Sequence, residues 1–395
     1  MHAHLGRFLG AKGDFKQSLY EIDYAISIQG HDHVLHHMRG MVLRQKLKVA
    51  AEQKGTIEEL VDITRDASGS FERTREIAPD LEHGYIGEIQ LLLDLVDRVG
   101  LQNISSPTSA PYLREAIDRA EDVLDQLQNL YAGEEPSRYA LDCQAKLSRL
   151  HGDFNSSLQS WDNLLSRTEV SKPPVRRQIV WTILRRHKGK WESLSVKEIQ
   201  RIQNLLEENL QENTNDSTSL RLWLRAVRHS AKPPSLDALT EKVGYWKVNT
   251  GSLDAAFYLY ALHFLRILQG SSQAVFDTER SLDECKALTR YRRDRTRSFE
   301  WIGERDGIQG LVHQSQLGDW KGEFFESSTL LRRVSGRVKS IDGPHKGVIE
   351  VDGGIGAFFV PGKADIHAGR DENATVTFYL GLSYDGPRAW EVNLK

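Results

Sequence analysis

Two stretches carry side chains able to do chemistry. In HDHVLHH, residues 31–37, His33 and His37 stand four apart and would share one face of a helix, with His36 and Asp32 beside them. Imidazoles at that spacing make half of a zinc site, but a structural zinc takes four ligands and no second cluster supplies the rest. Packing between helices is the plainer role, above all for His36. In TRYRRDRTR, residues 289–297, the guanidinium groups of Arg290, Arg292, Arg293, Arg295 and Arg297 could pair bidentately with phosphate oxygens. The acidic DTERSLDECK just before it allows the alternative of a solvated, charge-balanced helix. Lys339, Lys346 and Arg388 could extend the same cationic patch. No catalytic set accompanies either stretch. GxSxG, HExxH, GxxxxGK[ST], a dinucleotide glycine loop and a Cys-His signature are all absent, and acidic pairs such as Glu207 and Glu208 fall in helical surface runs. GGIG at 353–356 lies between two short strands, with no helix to hold a phosphate. The chain is therefore expected not to be an enzyme and to need no cofactor or metal.

Composition narrows the class of protein that must position these groups. A chain of 395 residues, 39% apolar and 27% charged, is long enough for two or three domains and has the balance of a soluble, helix-rich protein. Its net charge of -3 argues against nucleic acid or an acidic membrane as a partner of the whole surface, though not of a local patch. Cys143 and Cys285 lack CxxC spacing and a disulfide framework, so a reducing cytoplasm is the expected home. No apolar run is long enough to span a bilayer, and the amino-terminal text lacks the apolar core of a signal peptide.

The elements come from a repeat. GDFKQSL at 13–19 returns as GDFNSSL at 152–158. The tetratricopeptide unit of about 34 residues has a small residue at position 8, Gly-x-aromatic at 15–17, and small residues at 20 and 27. Placing Gly6 at position 8 puts Gly13, Phe15, Ser18 and Ala25 on the others, and Gly40 on the next position 8. Gly152, Phe154 and Ser157 repeat the spacing, and Gly244, Gly251, Leu253 and Ala256 give a third, looser copy. Such small residues let helices approach closely, so Gly6, Gly13, Gly40, Gly152, Gly244 and Gly251 are expected to be structural. Helical apolar spacing continues through 85–99 and 112–131, with breakers at 103–111, 132–137, 171–175, 212–219 and 231–235. Residues 1–290 are thus expected to form an α-solenoid, starting so close to Met1 that the array reads as the cut end of something longer. An Arg-rich helical connector over 291–327 would follow. From 328 to 395 the text turns to Val, Ile, Phe and Asp-Gly turns, and Val376, Phe378, Leu380 and Leu382 alternate onto one face. Five short strands there fit a small OB-type β-barrel.

The last hundred residues resemble a known family. SFEWIGERDGIQGLVHQSQL (298–317), LLRRVSGRV (330–338) and VTFYLGLSYDGPRAWEV (376–392) are similar to the tail of the vertebrate sterile alpha motif domain-containing proteins of the nine and nine-like type and their microbial relatives, with a weaker counterpart in YIGEIQLLLDL (85–95). The resemblance implies a cytosolic defence protein in which a P-loop ATPase of the STAND type precedes tetratricopeptide-like repeats and an OB-type barrel. It implies for this chain a sensing or autoinhibiting arm, the ATPase itself lying upstream or in another chain, since no Walker motif is present. The barrel also resembles a cold-shock domain through GRVKSIDG, KGVIEV, AFFVP and DGPRAWEV. Such domains stack single-stranded bases on exposed aromatics. Of that platform Phe358 alone remains on the outward face, Phe359 pointing inward and the first strand offering Ser340 and Ile341.

Two functions are expected from these observations. One is a regulatory arm that holds a protein or peptide on the concave face of the solenoid. The other is an adaptor that binds RNA or single-stranded DNA through the Arg-rich segment, Lys339, Lys346, Phe358 and Arg388.

Overall fold

Helices form where apolar residues recur every three or four positions and a polar side chain can cap the first turn. The computed structural model describes residues 1–100, 111–131, 133–213, 215–248, 252–322, 324–351 and 354–395. Its packing divides the chain into two units, Met1–Arg186 and His187–Lys395. The first holds α1 (His2–Ala11), α2 (Phe15–Ile28), α3 (His33–Glu52), α4 (Ile57–Ile77), α5 (Glu82–Leu95), α6 (Pro111–Tyr131), α7 (Arg138–Leu150), α8 (Phe154–Ser166) and α9 (Lys172–Arg186). α5 runs on into a π-helical turn, Val96–Gly100. Most of the 103–111 breaker lies outside the described residues, as does Gly251.

The two GDF copies build one and the same turn. Gly13 and Gly152 take φ of 87° and 80°, which only glycine adopts without strain. Asp14 and Asp153 then cap α2 and α8, accepting from the backbone N–H of Gln17 and Ser156 at 3.2 and 3.1 Å. Ser18 and Ser157, both fully buried, donate to the Gly6 and Ala145 carbonyls at 2.7 and 2.8 Å. These hydroxyls fasten each helix to the one before it.

Neither Gly13 nor Gly152 makes the close helix contact expected of it, since nothing lies within 4 Å of its Cβ position; the turn's backbone is what requires glycine, and the other glycines divide by role. A Cβ on Gly6 would fall 2.6 Å from Ile22, and one on Gly40 would fall 2.7 Å from the Phe71 ring. Gly87 on α5 meets the same ring from another side. Phe71, fully buried on α4, is thus wedged between glycines of α3 and α5. Gly244 differs from the expectation: nothing lies within 4 Å of its Cβ position, because that face of its helix is partly exposed and packs against no neighbour.

The second unit opens with α10 (Val196–Glu212), α11 (Ser217–Arg228), α12 (Leu236–Val248), α13 (Leu253–Leu268) and α14 (Ala274–Leu288). Strands follow: β1 (Glu300–Ile302), β2 (Leu311–His313), β3 (Trp320–Lys321), β4 (Phe324–Phe325), β5 (Arg333–Ile341), β6 (Gly347–Val351), β7 (Gly356–Phe359), β8 (Thr375–Ser383) and β9 (Gly386–Leu394). The last five close into a barrel in the order β5-β6-β7-β9-β8, with β8 returning to β5 and the β7–β9 pair parallel. That ring order is the OB type. Val376, Phe378, Leu380 and Leu382 are fully buried inside it.

The expected helical connector is not a helix. α14 ends at Leu288, residues 290–298 run through turns, and β1 and β2 then extend the barrel sheet through β8. A helix needs an apolar stripe to bury, and TRYRRDRTR offers only Tyr291, which stays 89% exposed. Glu300 of β1 is buried instead among the helices of its unit: Arg228 of α11 donates to it at 2.9 Å and the Tyr258 hydroxyl of α13 at 3.0 Å.

The glycine roles can be separated by substitution. Gly40→Leu should lower stability by about 1–3 kcal/mol or more, since neither Phe71 nor the helix backbone has room to yield. Gly244→Ala should change it by no more than about 1 kcal/mol, on the stabilising side. Urea unfolding midpoints of the two variants check both.

Candidate functional site

A groove of about 960 Å³ lies in the first unit between α4 and α6, floored by α5. Helical spacing sets its floor: Glu88, Leu92 and Leu95 fall on one face of α5. Glu88 is fully buried, held by Arg75 of α4 and by Arg119 Nε of α6 at 3.0 Å. Arg119 also reaches Glu72 at 3.3 Å. A buried carboxylate is tolerable only when its lone pairs are met in this way. The rim is exposed and acidic, with Glu115, Asp118 and Asp122 on α6 facing Arg65 of α4. Taken together, five carboxylates line the groove against three guanidiniums.

A second groove, about 420 Å³, lies on the outer wall of the barrel beside β7 and β9. The register places Phe358 opposite Arg388, and both side chains line it. The Arg388 guanidinium lies over the Phe358 ring at 4.7 Å, which leaves that ring half-buried. Trp390, Arg333, Lys363 and Glu391 also line it, and Arg333 pairs with Glu391 at 3.6 Å. Arg333 is itself stacked on Tyr379 at 4.6 Å. Sequence reasoning missed Trp390, Arg333 and Lys363; the signal was present in the period of two along β9, which puts Arg388 and Trp390 on one side.

The cations expected to form one patch are partly brought together. Arg295 and Arg388 both approach Asp385, at 3.5 and 3.8 Å, so the Arg-rich segment does meet the barrel. Arg292 pairs with Asp294 at 2.8 Å and lies over the Tyr384 ring, while Arg297 donates to Gln314 at 2.9 Å. Arg290 lies over Tyr291, and Arg293 is exposed. Lys339 and Lys346 sit on the β5–β6 hairpin, paired with Glu350 at 3.2 Å and Asp342 at 2.9 Å, and do not line the groove. Phe359 is buried inside the barrel.

The histidine cluster is built into the helical packing. Asp32 caps α3, His36 Nε2 meets the Gly30 carbonyl at 3.0 Å, and His37 packs against Phe71 and His83. Among the described residues no three His, Cys, Asp or Glu side chains are gathered for a metal ion. Burial, with His83 and His33 near by, pushes the His37 imidazole down to about 4. Burial likewise pushes the thiols of Cys143 and Cys285 up to about 12, away from any nucleophilic state at neutral pH.

No family model matches the chain, and no curated protein matches it. Solved structures do. A thermophilic TPR protein of Thermus thermophilus aligns over 58% of this chain and 96% of its own, at 14% identity and a TM-score of 0.39. A monomeric IFIT1 mutant with Gppp-AAAA aligns over 72% of this chain and 80% of its own, at 11% identity and a TM-score of 0.26. The TPR domain of P58(IPK) aligns over 75% of this chain and 93% of its own, at 13% identity and a TM-score of 0.19. The chain is a TPR-like helical region followed by a small carboxy-terminal β-barrel. Among the described residues no helix is long and apolar enough to cross a membrane.

The depressed His37 has a consequence for acid stability. Its folded value lies below the ordinary value near 6.5, so the unfolded chain binds the proton first and stability is lost as pH falls from about 6.5 through about 4. His37→Gln should remove on the order of 1–3 kcal/mol of the difference between pH 7 and pH 4. Urea unfolding of wild type and variant at the two pH values measures it; equal differences in both would discard this role for His37.

Proposed function

We propose that the chain is a non-catalytic interaction scaffold that holds a basic segment of a partner protein in the groove between α4 and α6. The observation that carries this is the groove itself, whose volume suits a peptide and whose rim is acidic over a carboxylate fixed by two arginines. The absence of nucleophile, base and phosphate-loop motifs supports a role without chemistry of its own. The resemblance of residues 298–395 supports a more specific place, as the sensing or regulatory arm of a STAND-type P-loop ATPase that acts in defence or signalling. Captured from an extract of its native cell, wild-type chain should retain a P-loop ATPase. Asp118→Lys with Asp122→Lys should lose it, with an unfolding midpoint within about 0.5 kcal/mol of wild type, as exposed sites allow. Equal retention by both forms would remove the groove from this role.

A second function has its own support in the barrel groove, where Arg388 on Phe358, together with Trp390 and Arg333, offers flat cationic and aromatic surfaces to a single-stranded nucleic acid. A base would stack on the guanidinium or displace it from the ring. Phe358→Ala should then weaken single-stranded RNA binding by about 1–3 kcal/mol, and the affinity should fall steeply with salt. Fluorescence anisotropy across a salt series tests both points; an affinity flat in salt, or unchanged in the folded variant, rules this function out.

A further inference from the structure

A third, smaller cavity of about 130 Å³ lies in the second unit, where the short helical turn Trp191–Ser193, the end of α11 and the turn Gln314–Gln316 converge. It has room for about four waters at about 30 Å³ each. Trp191, Arg225, Arg228, His229, Ser315 and Gln316 line it, and among the described residues no carboxylate does.

The charge lining this cavity does not balance, although Glu192 acts on His229 and Glu300 on Arg225 from outside the lining. Along α11, Arg221 is matched by Asp254 at 2.7 Å and Arg228 by Glu300 at 2.9 Å. Arg225 stands between them, half-buried, and among the described residues it has no carboxylate within ion-pair distance. Its Nη2 donates to His313 Nδ1 at 2.8 Å and to Ser315 Oγ at 3.4 Å, both neutral. The loop entering the cavity adds Lys188 and Lys190, both exposed.

The hydrogen-bonding capacity is also one-sided. Arg228 is only 5% exposed, and among the described residues its Nε and Nη2 have no acceptor. Gln316 Oε1 already accepts from the His313 backbone N–H at 3.1 Å, which leaves its amide N–H groups to donate. His229 Nδ1 faces the Arg225 carbonyl at 2.8 Å and must carry the proton of that bond, so the other nitrogen of the neutral ring is an acceptor. The Trp191 ring, stacked with His229 at 5.6 Å, adds an indole N–H, a group that can only donate. A small enclosure lined by unsatisfied guanidinium N–H groups, an indole N–H and an amide N–H, with only the His229 ring nitrogen and the Ser315 hydroxyl as side-chain acceptors, is complementary to an anion.

We propose that this cavity binds a tetrahedral oxyanion, either free phosphate or the terminal phosphate of a small molecule, with Arg225 as its principal partner. The site is separate from the two grooves and does not depend on the scaffold role. Arg228 also holds Glu300, so its removal threatens the fold; Arg225→Gln keeps the shape and removes the charge.

Titration calorimetry of the full chain with inorganic phosphate at fixed ionic strength tests the site. One phosphate per chain is expected, with affinity at least about tenfold weaker in Arg225→Gln and unchanged in Lys346→Gln, which alters only the β5–β6 hairpin. Trp191→Phe, which keeps the ring and removes the indole N–H, should weaken binding by a smaller factor. Adenosine monophosphate binding at the same site would identify a terminal phosphate as the natural ligand, and phosphate alone a free anion. The absence of saturable binding into the millimolar range, or equal affinity in wild type and Arg225→Gln, would overturn the proposal.

Discussion

The second unit depends on one buried carboxylate. Glu300 is fully buried and would not be tolerated there without Arg228 and Tyr258, which meet its two oxygens from α11 and α13. The same strand is the seam by which β1 and β2 join the barrel sheet through β8. The barrel is therefore not a bead on a linker. Phe257 of α13 lies edge-on to Phe299 and Tyr384 at 6.2 and 5.0 Å, and Gln309 donates to the carbonyls of Arg228 and Ser230, both at 3.1 Å. Once β1 is placed, the end of α11, the turn at 314–316 and the barrel are fixed relative to one another. The cavity beside Arg225 exists because those parts meet there.

The first unit is organised by a steric constraint. Phe71 occupies space that side chains on Gly40 and Gly87 would need, so α3, α4 and α5 can approach only at positions that lack a Cβ. One turn further along α4, Arg75 crosses to Glu88, and the approach that buries the ring also buries the ion pair. The pair has little to offer as net stabilisation, since desolvation offsets its attraction. Its consequence is positional: Arg119 is drawn to the same carboxylate and fixes α6 along the groove.

The sequence was informative wherever a local physical demand had few solutions. A positive φ followed by a helix cap leaves little choice but Gly-Asp, so both copies of GDF could be read as one repeat, although they build a left-handed turn and not the close helix contact expected of Gly13 and Gly152. Alternation in β8 had the same force, and the buried set Val376, Phe378, Leu380 and Leu382 followed from it. Gly87 was not legible because the long helices α3 and α4 carry the chain off a 34-residue frame. Gly244 fitted the frame by letter alone. The arginines at 290–297 were legible as charge but not as backbone, because charge density does not distinguish a solvated helix from a string of turns. Glu300 and Arg225 could not be singled out at all: their roles arise from partners 72 and 88 positions away in the chain.

The distribution of polar groups bears on what such a molecule can do. Burial moves several groups away from a reactive state at neutral pH: both thiols and the Tyr258 and Tyr260 hydroxyls are pushed up, and His37 and His313 are pushed down to about 4. A nucleophile or base needs the opposite, a value brought toward neutrality and a partner to exchange a proton with. His313 illustrates the difference. Its Nδ1 receives N–H groups from Arg225 and from the Ser315 backbone, so it is held as a neutral acceptor that orients a guanidinium. An imidazole held as an acceptor in this way aims the Arg225 guanidinium along a cavity that, among the described residues, no carboxylate lines.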